Sequence, residues 1–300
     1  MSEIEVCGVC KSFKKTQALK DISFSVEKGE IFGLIGPDGA GKTSLFRILT
    51  TLSVPDSGSA KVCGLDIAAD YAEIRAQIGY MPGHFALYQD LSVEENLKFY
   101  ATVFGTDIAS NYDNIKDIYC QLEPFKDRKA GALSGGMKQK LALCCALVHR
   151  PRVLFLDEPT TGVDAVSRKE FWEILSRIRK SGVSIMVSTP YMDEAARCDR
   201  IALISDGHII GEGTPREIRD SYPETLYEVF SDEIFPVLKF LKSASGILSC
   251  YSFGSCCHAS VAPDGPDAAK IASMLEQAGF KNCTVKKIEA GIEDCFMRLS

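Results

Sequence analysis

The sequence predicts a layered α/β domain with a largely parallel sheet, followed by a small α+β domain of ferredoxin-like order. Short apolar strands alternate with helical patterns through the first two thirds of the chain, the alternation that builds a parallel sheet covered by helices. Near Tyr222-Pro223 the pattern changes to strand, helix, two strands, helix, strand. The length of 300 residues fits two such parts. The division expected is residues 1–221 and 222–300.

Each element has a local reason. Ile4 to Cys10 reads as a strand, and Glu30 to Ile35 as a buried one. Apolar spacing from Gly41 to Leu52 is helical. Ile78 to Met81 is strand-like, Val93 to Val103 helical, and Gly135 to Arg150 a longer helix. The continuous apolar run Val153 to Leu156 is a buried strand, Ala165 to Lys180 a helix, and Val183 to Ser188 a strand again. Asp206-Gly207 between Arg200–Ser205 and His208–Glu212 is a hairpin signal. In the second part, strands are expected at Leu226–Phe230, Ile247–Phe253, Cys256–Val261 and Thr284–Ile288. Helices are expected at Ile234–Lys242, Asp267–Ala278 and Ile292–Leu299.

Composition narrows the function. A hydrophobic fraction of 46% and a charged fraction of 25% support a sizeable core and exclude global disorder. The net charge of −6 argues against a nucleic-acid partner, which calls for a basic surface. No apolar run reaches the ~18 residues a bilayer-crossing helix needs, and the N-terminus carries no basic and apolar leader. A cytoplasmic chain is expected, so work at a membrane calls for a spanning partner. The 12 cysteines are then small hydrophobes rather than a disulfide framework. Cys7 and Cys10 face opposite ways on a strand, and neither they nor Cys256-Cys257 with His258 are read as a metal or redox centre.

Three stretches carry chemistry. Gly36-Pro-Asp-Gly-Ala-Gly41-Lys42-Thr43 fits G-x-x-x-x-G-K-[ST], between a strand and a helix. Its backbone amides and the helix N-terminus would cradle phosphate oxygens. Lys42 would neutralise the β and γ phosphates, and Thr43 would offer its hydroxyl to Mg²⁺. The strand Val153–Leu156 runs into Asp157 and Glu158, adjacent acids that point in different directions. Asp157 would hold Mg²⁺ and Glu158 would polarise an attacking water. Between them, Ser134 is placed to cap the helix after Leu133, and Gly135 and Gly136 bare its first amides, a second anion site. One nucleotide does not need two such sites from one chain. Two copies facing head to tail would each lend one.

These stretches, with Thr160-Thr-Gly-Val-Asp164, resemble the ATPase subunits of ABC transporters over roughly residues 4–220. The resemblance implies a P-loop ATPase with a RecA-like core, an antiparallel β subdomain and a helical subdomain. It implies ATP and Mg²⁺ as ligands, with Gly36, Pro37, Asp38, Gly39, Ala40, Gly41, Lys42, Thr43 and Ser44 around the phosphates and Phe13 stacked on adenine. Thr43 and Asp157 would hold the metal and Glu158 would be catalytic. Ser134, Gly135 and Gly136 would reach the nucleotide of a second ATPase, and Asp164 would lie at that interface. Met137 stands where the family usually has glutamine. The phosphate loop, Leu133-Ser-Gly-Gly-Met-Lys-Gln-Lys140 and Ile292-Glu-Asp-Cys-Phe-Met-Arg-Leu299 look like the N-terminal half of tandem ATPase subunits of ABC-2-type exporters.

Two positions depart from the family. Gly83 falls where its Q-loop glutamine belongs and Pro190 where its switch histidine belongs. Neither residue supplies the lost chemistry. Gln89 is out of register, and His84 reads as a surface residue. The expected function is thus the ATP-binding motor subunit of an exporter, peripheral on the inner face of the membrane through an ABC-2-type permease. Its second ATPase would be a different chain, in a heterodimer favoured over a homodimer. Phe85 to Tyr88, ahead of Asp90 to Glu95, is the expected contact with the permease. A soluble ATPase of translation or DNA repair and a nucleotide-sensing regulator are the alternatives.

Overall fold

A computed structural model of the protein describes residues 2–300. The chain divides into two compact units, the first ending at Pro215 and the second running from Arg216 to Ser300. The expected boundary at 221/222 lies one short helix further on.

In the first unit, strands β1 (Ser2–Phe13), β2 (Thr16–Glu27) and β3 (Ile31–Ile35) precede helix α1 (Lys42–Leu49). Then come β4 (Ser57–Val62), β5 (Leu65–Asp66), α2 (Tyr71–Gln77), β6 (Ile78–Met81), α3 (Val93–Val103), α4 (Ile108–Tyr119) and α5 (Gly135–Leu147). The unit closes with β7 (Val153–Asp157), α6 (Ala165–Lys180), β8 (Ser184–Thr189), β9 (Arg200–Ser205) and β10 (His208–Gly213). A six-stranded sheet has the order β10-β9-β3-β8-β7-β6, parallel except for the β9–β10 hairpin. Every residue of β3, β7 and β8 is buried, which is why β3 and β7 up to Leu156 read as continuous apolar runs.

A second sheet, β2-β1-β4-β5, is antiparallel and packs into the same core. Phe24 of β2 stacks on Phe32 of β3 at 5.1 Å, and Phe46 of α1 meets Phe155 of β7 edge-on at 5.9 Å. Strand β2 is absent from the sequence reading. Ile22, Phe24 and Val26 alternate with polar residues, but Asp21 adopts a φ of 53°, which breaks the period between Leu19 and Ile22. Cys144, Cys145 and Cys198 sit in the core, where burial pushes their thiols up, as small hydrophobes do.

The second unit holds α7 (Pro215–Asp220 by its full range), β11 (Thr225–Phe230), α8 (Ile234–Ser243), β12 (Ile247–Phe253), β13 (Cys256–Val261), α9 (Ala268–Gln277), β14 (Thr284–Ile288) and α10 (Ile292–Leu299). Its antiparallel sheet has the order β12-β13-β11-β14, so a strand lies between the two ends of each crossover, the expected ferredoxin-like arrangement. Tyr227, Val229, Cys257, Ala259 and Val261 face a core completed by Val237 and Leu241 of α8 and Ile271 and Leu275 of α9. Among the described residues, no helix is long and apolar enough to cross a membrane.

Candidate functional site

Three neighbouring parallel strands, β3, β8 and β7, end on the same side of the sheet, and the crevice beyond such ends is where α/β folds bind ligands. The loop 36–41 leaves β3 and enters α1 through Gly41, whose φ of 106° strains any side chain. A Cβ there would stand 2.4 Å from the Ala18 carbonyl oxygen, so the loop lies directly on β2. The Gly36 amide donates to the Thr189 carbonyl at 3.2 Å, and the Gly207 amide donates to Ala40 at 3.1 Å. Gly207 is free to do so because Asp206 and Gly207 both have positive φ, the two-residue hairpin turn the sequence signals.

The N-terminus of α1 has no side-chain cap and no acid in its first turn. Its first amides are therefore available to an anion, and the helix dipole favours one. Lys42 is 3% exposed. Its Nζ donates to the carbonyls of Gly36 and Pro37, both at 2.9 Å, and lies 3.1 Å from Glu158 Oε1. Asp38 is 3.9 Å from the same ammonium.

Asp157, the last residue of β7, is 1% exposed. Burial pushes its carboxyl up, while hydrogen bonds from Ser188 and Thr43 hold it down. A buried carboxylate beside a threonine hydroxyl is a hard oxygen donor set, and it fits Mg²⁺. Glu158 turns away from the strand with a φ of 49°, which sends its side chain toward Lys42 instead of along the sheet. The two acids are thus divided as their adjacency implies.

Ser188 is a positioning residue that sequence reasoning passed over. It pairs with Asp157 across β7 and β8, donates to Asp157 Oδ1 at 2.5 Å, and accepts from the Glu158 amide at 3.0 Å. One hydroxyl therefore holds the carboxylate of Asp157 and the backbone amide of Glu158. Its only sequence signal was the end of an apolar strand, because cross-strand register is not written in either strand alone. Next to it, Thr189 and Thr160 donate to the buried carboxylate of Glu194, at 2.6 and 2.8 Å, and tie the segment after Glu158 to the end of β8.

The remaining expected residues lie in other places. Ser134 caps α5 by accepting from the Met137 amide at 3.4 Å. A Cβ on Gly136 would stand 2.8 Å from Ser167 Oγ, and one on Gly135 3.5 Å from the Gly162 carbonyl oxygen, so this stretch packs on the start of α6. Asp164 caps α6, accepting from Val166 and Ser167, and these bonds hold its carboxyl low. Neither Lys42 nor Asp157 hydrogen-bonds to the Ser134 stretch among the described residues. Phe13 is 48% exposed at the end of β1, with Lys11 over its ring, so it belongs to a surface and not to a core.

Gly83 runs beside Asp157: a Cβ there would lie 3.2 Å from the Asp157 carbonyl oxygen. Pro190 follows Thr189 directly. His84 and Gln89 are exposed, and Gln89 is held by the Gly131 amide at 2.9 Å. Beyond them Tyr88 is 51% exposed and meets Phe99 of α3 edge-on at 4.9 Å. The buried amide of Asn96 fixes this bend, bonding the backbone of Tyr88, Leu91 and Ser92.

Comparison with known proteins agrees with this fold. Residues 19–161 match the family described as ABC transporter. The chain is 41% identical over 218 residues to the probable multidrug ABC transporter ATP-binding protein YbhF of Escherichia coli, which spans 72% of this chain and only 38% of that relative. It is 32% identical over 308 residues to Nod factor export ATP-binding protein I of Ralstonia nicotianae, covering 99% of this chain and 93% of the relative. Among solved structures, an ATP-binding subunit of an ABC transporter superposes with a TM-score of 0.67 at 27% identity, covering 74% of this chain and 93% of that one.

Proposed function

Since the chain belongs to the ABC transporter family, as an ATP-binding subunit, we propose that it is the motor of an exporter and works by closing on a second ATPase around Mg-ATP. The observation that carries this reading is the separation of two anion sites. Lys42, Thr43, Asp157 and Glu158 meet at the ends of β3 and β7, while Ser134, Gly135 and Gly136 pack with Gly162 and Ser167. Each site needs the other's counterpart from a second subunit.

Within one site, Lys42 and the α1 amides neutralise the phosphates. Thr43 and Asp157 would hold Mg²⁺, which would supply positive charge to the phosphates there. Glu158, whose backbone amide is held by Ser188, accepts a hydrogen bond from the attacking water. Gly83 and Pro190 contribute no side-chain donor at this site, so the site built on this chain is slow. A different chain with both groups would form the fast site, borrowing Ser134, Gly135 and Gly136 from this one.

Phe13 stacks on adenine in this reading. Phe13→Ala is expected to weaken ATP binding about two- to tenfold, from a stacking loss of about 0.5–1.5 kcal/mol. Because the ring is half exposed, the melting temperature without ATP stays level and only the ATP-induced rise shrinks. A drop in the ATP-free melting temperature with an unchanged ATP shift assigns the ring to folding instead.

The membrane partner is an ABC-2-type permease, reached from the cytoplasmic side through the exposed rings of Tyr88 and Phe99. No nucleic acid takes part. The test is sedimentation with membranes that carry a cognate permease. Co-sedimentation is expected only with that permease, and Tyr88→Arg is expected to release the chain while Mg-ATP affinity stays within twofold. Retention of Tyr88→Arg on those membranes overturns the docking surface.

A further inference from the structure

On the ferredoxin-like unit, the sheet face opposite the α8–α9 core carries polar groups at consecutive outward positions. Cys256 and His258 lie two residues apart on β13 and so share a face. Glu228 on β11 is the register partner of His258, directly across the strand pair. The intervening Cys257 points the other way, into the apolar core. One ligand atom from each of Glu228, Cys256 and His258 lies within 4.8 Å of the others. His258 Nε2 is 3.8 Å from Glu228 Oε1, and Cys256 Sγ is 3.9 Å from the same oxygen.

A fourth residue orients the set. Asp294 of α10, 7% exposed, bonds His258 Nδ1 at 2.7 Å. Its other oxygen accepts from the Gly291 amide at 2.8 Å, so the carboxylate is fixed from both sides. A carboxylate on Nδ1 holds the proton there and leaves the Nε2 lone pair facing Glu228 and Cys256. Phe253, stacked on the imidazole at 4.0 Å, sets the ring plane. Carboxylate–histidine pairs of this kind stand behind metal-bound imidazoles.

We infer that Glu228, Cys256 and His258 form a site for a divalent transition ion of the Zn²⁺ class, with Asp294 positioning the imidazole. The thiolate, imidazole and carboxylate donors match the ligand preferences of Zn²⁺. Tetrahedral bonds of about 2.0–2.3 Å put ligand atoms about 3.5 Å apart. The separations of 3.8 and 3.9 Å to Glu228 Oε1 lie close to that spacing. Three protein ligands leave the fourth position to water. The ion would tie Glu228 of β11 to Cys256 and His258 of β13, and through Asp294 to α10.

The test is titration of the full-length protein with Co²⁺, read by its thiolate charge-transfer band and visible d–d bands. One equivalent is expected to bind with the thiolate band present and to be displaced by Zn²⁺. Cys256→Ser is expected to lose that band, and His258→Gln to weaken binding at least tenfold. Asp294→Asn is expected to weaken it about 10–100-fold while keeping the band, as loss of an outer-shell partner does. Thermal melting checks that each variant is folded. If Cys256→Ser is not, Glu228→Gln, which keeps size and shape, is expected to weaken binding at least tenfold. Absence of a thiolate band in the unmodified protein overturns the site. So does a band of equal strength and affinity in the folded variants, which would assign it to other cysteines.

Discussion

Ser134→Arg in this chain is expected to abolish the ATP turnover of a mixed dimer, while Glu158→Gln in the same chain leaves most of it. The purified chain alone is expected to bind Mg-ATP and release phosphate slowly, and the partner ATPase to raise that rate markedly. The difference follows from which site each residue serves. Glu158 lies 3.1 Å from Lys42, so it belongs to the site built on this chain's own loop, where Gly83 and Pro190 add no catalytic side chain. Ser134 caps α5 beside α6, and in the proposed dimer it serves the partner's nucleotide. An arginine there fills the space of the opposite γ-phosphate and silences the faster site. The cap it removes is worth about 1 kcal/mol, too little to unfold the unit. Steady-state phosphate release decides the matter. Fast release by the chain alone, lost in Glu158→Gln, would mean that Gly83 and Pro190 are harmless.

Lys42→Ala is expected to weaken Mg-ATP binding about 10- to 150-fold, since charge-assisted contacts to phosphate are worth about 1.5–3 kcal/mol. The ammonium is buried and held in place by two carbonyls of its own loop, so the charge reaches the phosphates without a search through rotamers. Calorimetry gives the affinity directly, and an unchanged value would remove the phosphate-loop assignment. A melting curve without nucleotide separates lost contact from lost fold, because the substitution also strips Glu158 of its cation.

The sequence made legible what is written in consecutive residues. The loop from Gly36 to Thr43, the strand that ends in Asp157 and Glu158, and the cap at Ser134 each place their chemistry within one turn or one strand end. The second unit was legible for the same reason: its strands and helices are short, separate and regularly patterned. What was hidden depends on pairing between distant strands. Ser188 acts on Asp157 because β7 and β8 are in register, and Glu228 meets His258 because β11 and β13 are. Cys256 and His258 were visible as neighbours, but the acid that completes them comes from β11, a helix and a strand earlier in the chain, and the acid behind them from a helix near the end of the chain. Strand β2 escaped because Asp21 resets its alternation, and β5 because two residues carry no period at all.

The phosphate loop is bonded to the framework at both ends: Gly36 to Thr189, Ala40 to Gly207, and Gly41 seated on Ala18. Ordering a segment costs conformational entropy of about 1–2 kcal/mol per residue, and here that cost is met when the domain folds, not when nucleotide arrives. Nucleotide therefore meets a rigid receptor. Differences in affinity among variants of this loop report contacts and charge directly, and in the proposed cycle the binding step leaves its free energy to the larger rearrangement that brings two subunits together.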